Sequence, residues 1–256
     1  MYANANAGHI GSSLSATEIM TFCMFGWMQD GDEVVLSKGH AAALLYSSLA
    51  EKGAISEEEI GTFYKNGTHL AAHPPANKIQ GIPFATGSLG HGLSLAGGLA
   101  LGKRFKKSDA LIFCITSDGE LNEGGIWEAA MFISHHKLTN VIWFIDKNNH
   151  QGFGTTQDVM NLDPLQDKLK AFGFECLEIE GHNFDDFENV KAHHAGTNKP
   201  LAVIANTVKG RSWVPNENTI HSHYLPFKEN QYQDIITNLE QQFQVHIDQL
   251  KTSGTR

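Results

Sequence analysis

The sequence has little of what membrane, secreted and nucleic-acid-binding proteins need. Its 256 residues contain no apolar run that approaches the roughly 18 to 20 residues needed to span a bilayer. Residues 1–13 show neither the basic segment nor the apolar core of a signal peptide. The net charge is −9 and no basic block is present, so binding to nucleic acid or to an anionic membrane has no electrostatic support. We therefore expect a cytoplasmic protein that binds neither.

Cysteine is also scarce. The chain has three cysteines, which are far apart, and two of them lie in apolar runs: Cys23, Cys114 and Cys176. This spacing argues against a disulfide framework or a zinc site and favours a reducing compartment. What the chain does have is 41% hydrophobic and 18% charged residues, a balance typical of a globular protein. Its 14 histidines are numerous enough that their positions bear on function.

Four short runs rich in β-branched and aromatic residues predict buried strands, at 110–116, 141–146, 175–180 and 201–207. They lack the polar alternation of a half-exposed sheet, which favours parallel strands covered on both faces. Between the first two runs, Glu123–His136 has helical length and ends in cations that suit a helix C-terminus. A strand, a helix and a strand in about 30 residues is the size of a βαβ unit.

Further segments have helical patterns, and together with the predicted strands they indicate an α/β fold. They lie at Ser15–Met28, at Ala41–Lys52, after a capping box at Ser56–Glu59, at Gly90–Phe105 and after Glu229. No linker or repeat divides the chain. We therefore predict one α/β domain over residues 1–256, with a doubly wound, mostly parallel sheet, helices on both faces and 229–256 as a C-terminal helical extension.

Two of the predicted strands end in small polar clusters. Asp118-Gly119 follows the first strand, and Asn148-Asn149 follows the second. Ligands of open parallel sheets bind beyond the carboxyl ends of the strands, and a carboxylate with an amide oxygen suits Mg²⁺. Gly119 and Gly124-Gly125 would let a phosphate group approach the start of the next helix. Either dipeptide alone is most simply a turn, but the pair predicts a site for a divalent cation and phosphate.

The pair also resembles a known fingerprint. Asp-Gly followed 148 − 118 = 30 residues later by Asn-Asn is similar to the thiamine diphosphate motif, although Ser117 stands where that motif begins with glycine. In the motif, the aspartate, the asparagine side chain and a nearby backbone carbonyl hold Mg²⁺ against the diphosphate. The resemblance implies Asp118, Asn148 and the carbonyl of His150 as metal ligands.

Four other segments narrow the resemblance to the transketolase family. Ala7–Gly11 resembles the family's Ser-Gly-His-Pro-Gly, Leu36–His40 its Leu-Ser-x-Gly-His, and Ala72–Pro74 its Gly-His-Pro. Thr86–Gly92 resembles Thr-Gly-x-Leu-Gly-Gln-Gly, with His91 in place of the glutamine. The matches run in order over residues 7 to about 226. The chain is thus similar to the diphosphate-binding, N-terminal half of transketolase, in the form encoded as a separate subunit.

The resemblance implies roles for individual residues. His40 and His223 would contact the diphosphate side of the cofactor, and the Gly87–Leu89 backbone would line the aminopyrimidine and thiazolium pocket. The implied cofactor-binding set is His40, Gly87, Ser88, Leu89, Asp118, Gly119, Glu120, Asn148 and His223. His9 and His73 would bind substrate hydroxyls, with His223 as an acid–base group.

The acidic residues complete the implied catalytic set. Glu123 and Glu128 match two family carboxylates near the subunit interface, which share protons with the partner's cofactor site. From the residues alone, the alternative is that both are helix-start charges stabilised by the helix dipole. Each histidine is equally explained as a surface or core side chain, although histidine is suited to proton transfer near neutral pH. His221 competes with His223 for the family position.

The family's activity needs a part that this chain lacks. The glutamate that activates the aminopyrimidine lies in a second, pyrimidine-binding domain, and no segment after residue 230 is long enough to form it. The resemblance therefore implies a subunit that is inactive alone and pairs with a separate C-terminal subunit in an α2β2 assembly. Together they would transfer a two-carbon ketol unit from a ketose phosphate to an aldose, using thiamine diphosphate and Mg²⁺. The alternatives are an α subunit of a thiamine diphosphate-dependent 2-oxo-acid decarboxylase or dehydrogenase, and a non-catalytic subunit that retains the fold.

Overall fold

A computed structural model describes residues 1–213, 216–226 and 229–252. The strands within these residues are β1 (Glu33–Leu36), β2 (Ile112–Ser117), β3 (Val141–Lys147), β4 (His150–Gln151), β5 (Gly154–Thr155), β6 (Glu175–Glu180) and β7 (Leu201–Asn206). Five of them form one parallel sheet in the order β1-β2-β3-β7-β6. The other two, β4 and β5, pair as a short antiparallel hairpin.

The helices alternate with the strands along the chain. They are α1 (Tyr2–Ala5), α2 (Ile10–Ser15), α3 (Thr17–Thr21), α4 (Ala42–Glu51), α5 (Glu57–Ile60), α6 (Gly92–Phe105), α7 (Gly124–His135), α8 (Thr156–Met160), α9 (Leu165–Ala171), α10 (Phe184–His194), α11 (His221–Tyr224) and α12 (Glu229–Thr252). None of the helices in the described residues is long and apolar enough to cross a membrane.

Helices cover both faces of the sheet. Phe113 and Ile115 of β2 point to one face, where they join a buried cluster with α3, α4 and α10. Ile112 and Cys114 point to the other face and join a cluster with α6, α7 and α9. This alternation follows from the two-residue period of a strand, and apolar residues on both sides are typical of a parallel sheet. The predicted doubly wound α/β class is confirmed.

All four predicted strands are present in the sheet, within two residues of their predicted ends. Two details differ from the prediction. The run at 175–180 is not covered on both faces, because β6 is an edge strand on which Glu178 and Glu180 are exposed. Strand β1 was not predicted, because its four residues are too few to give a periodic signal.

The predicted single helix at Ser15–Met28 is wrong. It is divided into α3 and a π-helical turn at Phe22–Trp27, with Ser15 at the end of α2. The wider turn stacks Phe22 on Phe187 of α10, with ring centres 5.2 Å apart, and sets Trp27 edge-on to Phe113 at 5.3 Å. Packing against the sheet thus overrides the helical period. Segments of this kind often lie near functional sites.

Two other helix predictions have clear outcomes. The capping box at Ser56 is confirmed, because its hydroxyl accepts from the Glu59 amide while the Glu59 carboxylate accepts from the Ser56 amide, but α5 ends after one turn. The C-terminal helix is confirmed as α12 up to Thr252. Residues 253–256 of the predicted extension lie outside the described residues.

Close packing joins the end of β1 to the segment that precedes α6. A Cβ atom at Gly39 would lie 2.6 Å from the Gly87 nitrogen, and one at Gly92 would lie 2.7 Å from the Ser37 Cα. Both distances are too short for a side chain. Glycine at these two positions therefore allows the β1 exit and residues 86–92 to form one wall at the carboxyl edge of the sheet.

We expect Gly92→Ala to lower the free energy of unfolding by about 1–3 kcal/mol, because a methyl group at this contact forces Ser37 to move. Gly98→Ala in the same helix is the matched control. A Cβ at Gly98 meets nothing within 4 Å, so alanine should raise stability by about 0.5–1 kcal/mol through helix propensity. Urea unfolding of both variants measures the difference. Equal stability of the two variants would contradict the close packing.

Candidate functional site

The buried carboxylate of Asp146 joins four segments at the carboxyl edge of the sheet. It accepts hydrogen bonds from the Lys38 ammonium, from Ser15 Oγ at 2.6 Å, from the Thr207 hydroxyl and from Asn148 Nδ2 at 3.1 Å. Burial alone would raise the pKa of Asp146, but the charge of Lys38 and these donors lower it below its ordinary value. The carboxylate is therefore a fixed negative charge behind the site.

Asp118 lies directly beyond β2 and its carboxylate is held in one orientation. Oδ1 accepts from the Gly119 amide at 2.8 Å, and Oδ2 accepts from the Asn149 amide at 2.7 Å. Burial first, and the charge of Asp146 second, raise the pKa of Asp118 to about 7. Each oxygen keeps a free lone pair. A buried carboxylate whose charge is unfavourable without a counter-ion is suited to accept a cation.

The side-chain amide of Asn148 is oriented by its neighbours. Its Nδ2 donates to Asp146, which can only accept, so Oδ1 must point the other way. Oδ1 accepts from the His150 amide at 3.2 Å. The predicted metal ligands Asp118 and Asn148 thus directly follow two adjacent strands, β2 and β3. No group of three His, Cys, Asp or Glu side chains that could hold a metal ion occurs in the described residues. The predicted ligand set does not need such a group, because only one of its three ligands is a carboxylate.

Two lysines are buried beside these groups. Nζ of Lys38, which follows β1, donates to Asp146 and to the Ser12 carbonyl at 2.8 Å. Nζ of Lys209, which follows β7, donates to Ser12 Oγ at 2.7 Å. In the described part of the chain no carboxylate forms an ion pair with Lys209. Burial first, and the charge of Lys38 second, lower the pKa of Lys209 to about 7. A buried ammonium without a carboxylate partner favours an anionic ligand.

Three histidines from distant parts of the chain form a cluster. The ring centre of His9 lies 5.5 Å from that of His40 and 5.9 Å from that of His223. The backbone of His9 is left-handed, with φ of 71°, a conformation that is uncommon for non-glycine residues. Nδ1 of His9 and Nδ1 of His223 are buried and have no hydrogen-bond partner of normal geometry in the described residues. Such unpaired atoms indicate a ligand site.

The histidine rings of this cluster are neutral near pH 7. Burial first, and the lysine charges second, lower the pKa of His9, bring the pKa of His40 well below its ordinary value and lower the pKa of His223 to about 3. A neutral imidazole has one donor and one acceptor nitrogen. The cluster can therefore exchange hydrogen bonds with hydroxyl groups without adding positive charge to the site.

Glu120 supports the site from behind. Its Oε1 accepts from the Gly90 amide at 2.8 Å and from the Ser37 hydroxyl, and Oε2 accepts from the Ser117 amide at 3.3 Å. Burial raises the pKa of Glu120. These three donors come from the loop before α6, the β1 exit and the β2 end. The geometry therefore makes Glu120 a support for the loop at Gly87–Gly90 instead of a direct contact for a cofactor.

The remaining predicted loop residues lie near the site opening. The exposed ring of His73 packs on Gly87, where a Cβ atom would lie 2.7 Å from the His73 Cδ2. Gly87 has φ of 134°, which only glycine adopts readily. Ser88 is exposed and Leu89 is half-buried. The loop thus presents mainly backbone to the space beside the histidines.

Other predicted residues lie outside the histidine cluster. Glu123 and Glu128 are exposed at the start and middle of α7, and Glu123 packs against Gly90. His221 is exposed, whereas His223 lies beside His9. The structure therefore brings His223, and not His221, into the cluster.

Three charged residues of the site, Asp146, Lys38 and Lys209, were not predicted from the sequence. All three follow the rule that identified Asp118 and Asn148: each is at or within three residues of the carboxyl end of a sheet strand. Lys38 lies inside the Leu36–His40 motif, which by itself gives it no role. Lys209 stands two residues beyond the predicted strand at 201–207, where a charged side chain after an apolar run was the available signal.

Comparison with known proteins identifies the family. The family model for the transketolase thiamine diphosphate binding domain matches residues 2–252. The chain belongs to the transketolase family. It is the thiamine diphosphate binding part of a transketolase-type transferase, which confirms the resemblance found in the sequence.

Several transketolases and separately encoded transketolase subunits are similar to the chain. A 6-deoxy-6-sulfo-D-fructose transketolase subunit of a Clostridium species is 37% identical over 246 residues, which are 92% of this chain and 89% of the relative. An apulose-4-phosphate transketolase subunit of Phocaeicola vulgatus is 35% identical, over 94% of this chain and 89% of the relative. The crystal structure of Campylobacter jejuni transketolase has a TM-score of 0.86 and 29% identity, over 91% of this chain and 39% of that one. The chain thus spans about two-fifths of a full-length transketolase but nearly all of the separate subunits, as predicted for the N-terminal subunit of a split enzyme.

We expect the stability of this chain to fall on acidification, partly through His223. Its folded pKa of about 3 lies below the value of about 6.5 in an unfolded chain, so between these pH values only the unfolded chain takes up the proton. Stability then decreases as pH falls from about 6.5 towards 3. Urea unfolding at pH 7 and pH 5 should show a smaller loss in His223→Gln than in the wild type. An unchanged loss would contradict the low pKa.

Proposed function

We propose that this chain is the N-terminal subunit of a split transketolase. With a separate C-terminal subunit that carries the pyrimidine-binding domain, it transfers a two-carbon ketol unit from a ketose phosphate to an aldose. The similar transketolase subunits of matching length support a separate partner. Their names concern different sugars, so the substrate class proposed here is sugar phosphates in general. We also propose that residues 1–256 are one diphosphate-binding domain in an α2β2 assembly of the cytoplasm, in keeping with the three buried free thiols.

The observation that carries this proposal is the juxtaposition of Asp118 and Lys209. Asp118 is oriented by two backbone amides, and the buried Lys209 ammonium donates to Ser12 with no carboxylate ion-pair partner among the described residues. Each of the two charges shifts the pKa of the other at this edge of the sheet. Such a pair fits a metal-bound diphosphate, which supplies both the cation and the anion. Asp118, Asn148 and the His150 carbonyl would hold Mg²⁺, while Lys209, His40 and the Gly119 backbone would face the diphosphate.

The residues present also fit the rest of thiamine diphosphate. Gly87, Ser88 and Leu89 would line the pocket of its rings, with Glu120 holding their loop through Gly90. When bound, the cofactor supplies the carbanion chemistry that amino-acid side chains lack. The chain's own part is to hold the diphosphate rigidly and to exclude water around the neutral histidines.

The histidines would handle the substrate. The unpaired Nδ1 atoms of His9 and His223 would exchange hydrogen bonds with sugar hydroxyls, and His73 would do so from the site opening. His223 would also move a proton to or from a hydroxyl. This histidine set suits a polyhydroxylated substrate better than a 2-oxo acid, and the relatives described above are transketolases. Both points favour ketol transfer over 2-oxo-acid decarboxylation.

The exposed carboxylates of Glu123 and Glu128 are assigned to the partner interface in this proposal. Glu123 directly precedes α7 and Glu128 lies on it, and α7 also exposes Met131 and Phe132. There they would share protons with the partner's cofactor site.

We expect Asp118→Ala to weaken Mg²⁺-dependent binding of thiamine diphosphate by about tenfold or more, because the metal loses its carboxylate ligand. Isothermal titration calorimetry measures the affinity. The matched control is Asp109→Ala, an exposed aspartate near the opposite end of the same strand. Loss of the unfavourable buried charge should leave the fold intact, which circular dichroism checks. Equal affinity of Asp118→Ala and the wild type would contradict the assignment of Asp118 as a metal ligand.

We expect the purified chain with thiamine diphosphate and Mg²⁺ to show no ketol transfer, because the glutamate of the pyrimidine-binding domain is supplied by the partner. Adding a C-terminal transketolase subunit should produce the shortened aldose phosphate, measured by chromatography. Glu128→Gln in the reconstituted enzyme should reduce the rate while leaving cofactor affinity within about twofold. Turnover by the chain alone would contradict the partner requirement, and turnover of pyruvate without turnover of ketose phosphates would contradict the substrate class.

A further inference from the structure

His182 is a buried histidine outside the predicted site. It lies two residues beyond β6, and its side chain is 6% exposed. Nε2 accepts a hydrogen bond from the Val208 amide at 2.9 Å, and Nδ1 lies 3.0 Å from Oε2 of Glu18 on α3. Because an amide can only donate, Nε2 carries no hydrogen, and Nδ1–H faces the Glu18 carboxylate. The bond to Val208 fixes the tautomer of the ring, while the Glu18 carboxylate lies beside Nδ1 without the geometry of a normal hydrogen bond.

The Val208 amide belongs to the short segment that delivers Lys209 to the site. On one side of Val208, Thr207 is anchored to β3 through its amide, which donates to the Lys147 carbonyl at 3.1 Å. On the other side, Lys209 is anchored through its ammonium on Ser12 and through its carbonyl, which accepts from the Asn218 amide at 2.8 Å. The Val208 carbonyl accepts from the Arg211 amide at 3.1 Å, and among the described contacts the bond to His182 is the one that holds the Val208 amide.

We propose that His182 is a positioning residue for Lys209. By holding the Val208 amide it fixes the direction in which the chain leaves β7, and with it the place of the Lys209 ammonium. This inference rests on the proposed function, because the position of the Lys209 ammonium matters for activity only if the ammonium binds the diphosphate. His182 itself touches Val208 and Glu18 and acts through Lys209.

The chain contains a second histidine–glutamate pair that serves as a control. His193 on α10 lies 3.4 Å from Glu175 of β6, with side-chain exposures of 43% and 31%. Its partner lies near the amino end of the sheet, away from Val208. His193→Ala therefore removes a comparable pair without touching the segment that carries Lys209.

Two measurements on the full chain test the proposal. Amide hydrogen exchange of residues 208–210 measures how firmly the segment is anchored. Calorimetry with thiamine diphosphate and Mg²⁺ measures the cofactor affinity that depends on this segment. We expect His182→Ala to speed exchange at Val208 and to weaken the cofactor affinity by about tenfold each, the effect of one lost buried hydrogen bond. His182→Gln, whose side-chain oxygen can accept from Val208, should restore both to within about threefold. His193→Ala should behave as the wild type.

A double-mutant cycle separates positioning from general loss of stability. If His182 acts through Lys209, His182→Ala should cause no further loss of affinity in a Lys209→Met background. Equal losses in both backgrounds would overturn the proposal, and so would unchanged exchange at Val208. If the wild type binds no cofactor, that result counts against the proposed function, while the exchange measurement still decides whether His182 anchors the segment.

Discussion

The candidate site depends on one buried carboxylate, that of Asp146. It is the common acceptor for Lys38, Ser15, Thr207 and Asn148, which come from the exits of three strands and from an N-terminal helix. Burying a charge is costly unless it is paired and hydrogen-bonded. Asp146 meets this condition only when all four segments are in place. The hydrogen bonds that stabilise the Asp146 carboxylate therefore also fix the relative positions of the strand ends. The positions of the candidate metal ligands Asp118 and Asn148 follow from those of the strand ends.

The electrostatics of the site divide into satisfied and unsatisfied charges. Asp146 and Lys38 neutralise each other, and the pKa of Asp146 stays low in spite of burial only because of that partner and the hydroxyl donors. Asp118 and Lys209 have no such direct ion-pair partners among the described residues, and burial shifts the pKa of each towards neutrality. The site thus contains charges that destabilise the fold, a common feature of binding sites. A ligand that carries both a cation and an anion compensates the buried charge of Asp118 and that of Lys209 at the same time.

Sequence patterns revealed the parts of the site that are local. Asp118 and Asn148 were found because each follows an apolar run, and His9, His40 and His73 because each stands in a short glycine- or proline-containing motif. Asp146, Lys209 and His182 also stand at or just beyond the ends of predicted strands, but that position alone gives them no role. Their roles depend on the position of β7 between β3 and β6, which no local period encodes. The π-helical turn at Phe22–Trp27 was missed for the same reason, since aromatic rings of distant segments determine it.

The place of β7 in the sheet also bears on how the chain acquires its structure. β7 is the last strand in sequence among the described residues, yet it lies inside the sheet, and β6 pairs with no other strand of it. Until residues 201–206 arrive, β3 has an open edge and β6 has no neighbour. Such long-range pairing slows folding and leaves strand edges exposed while it is incomplete. During synthesis on the ribosome, the first 200 residues therefore cannot complete the sheet before β7 is made. Until then the Asp146 carboxylate also lacks the hydrogen bond from Thr207, and Lys209 is absent from the site.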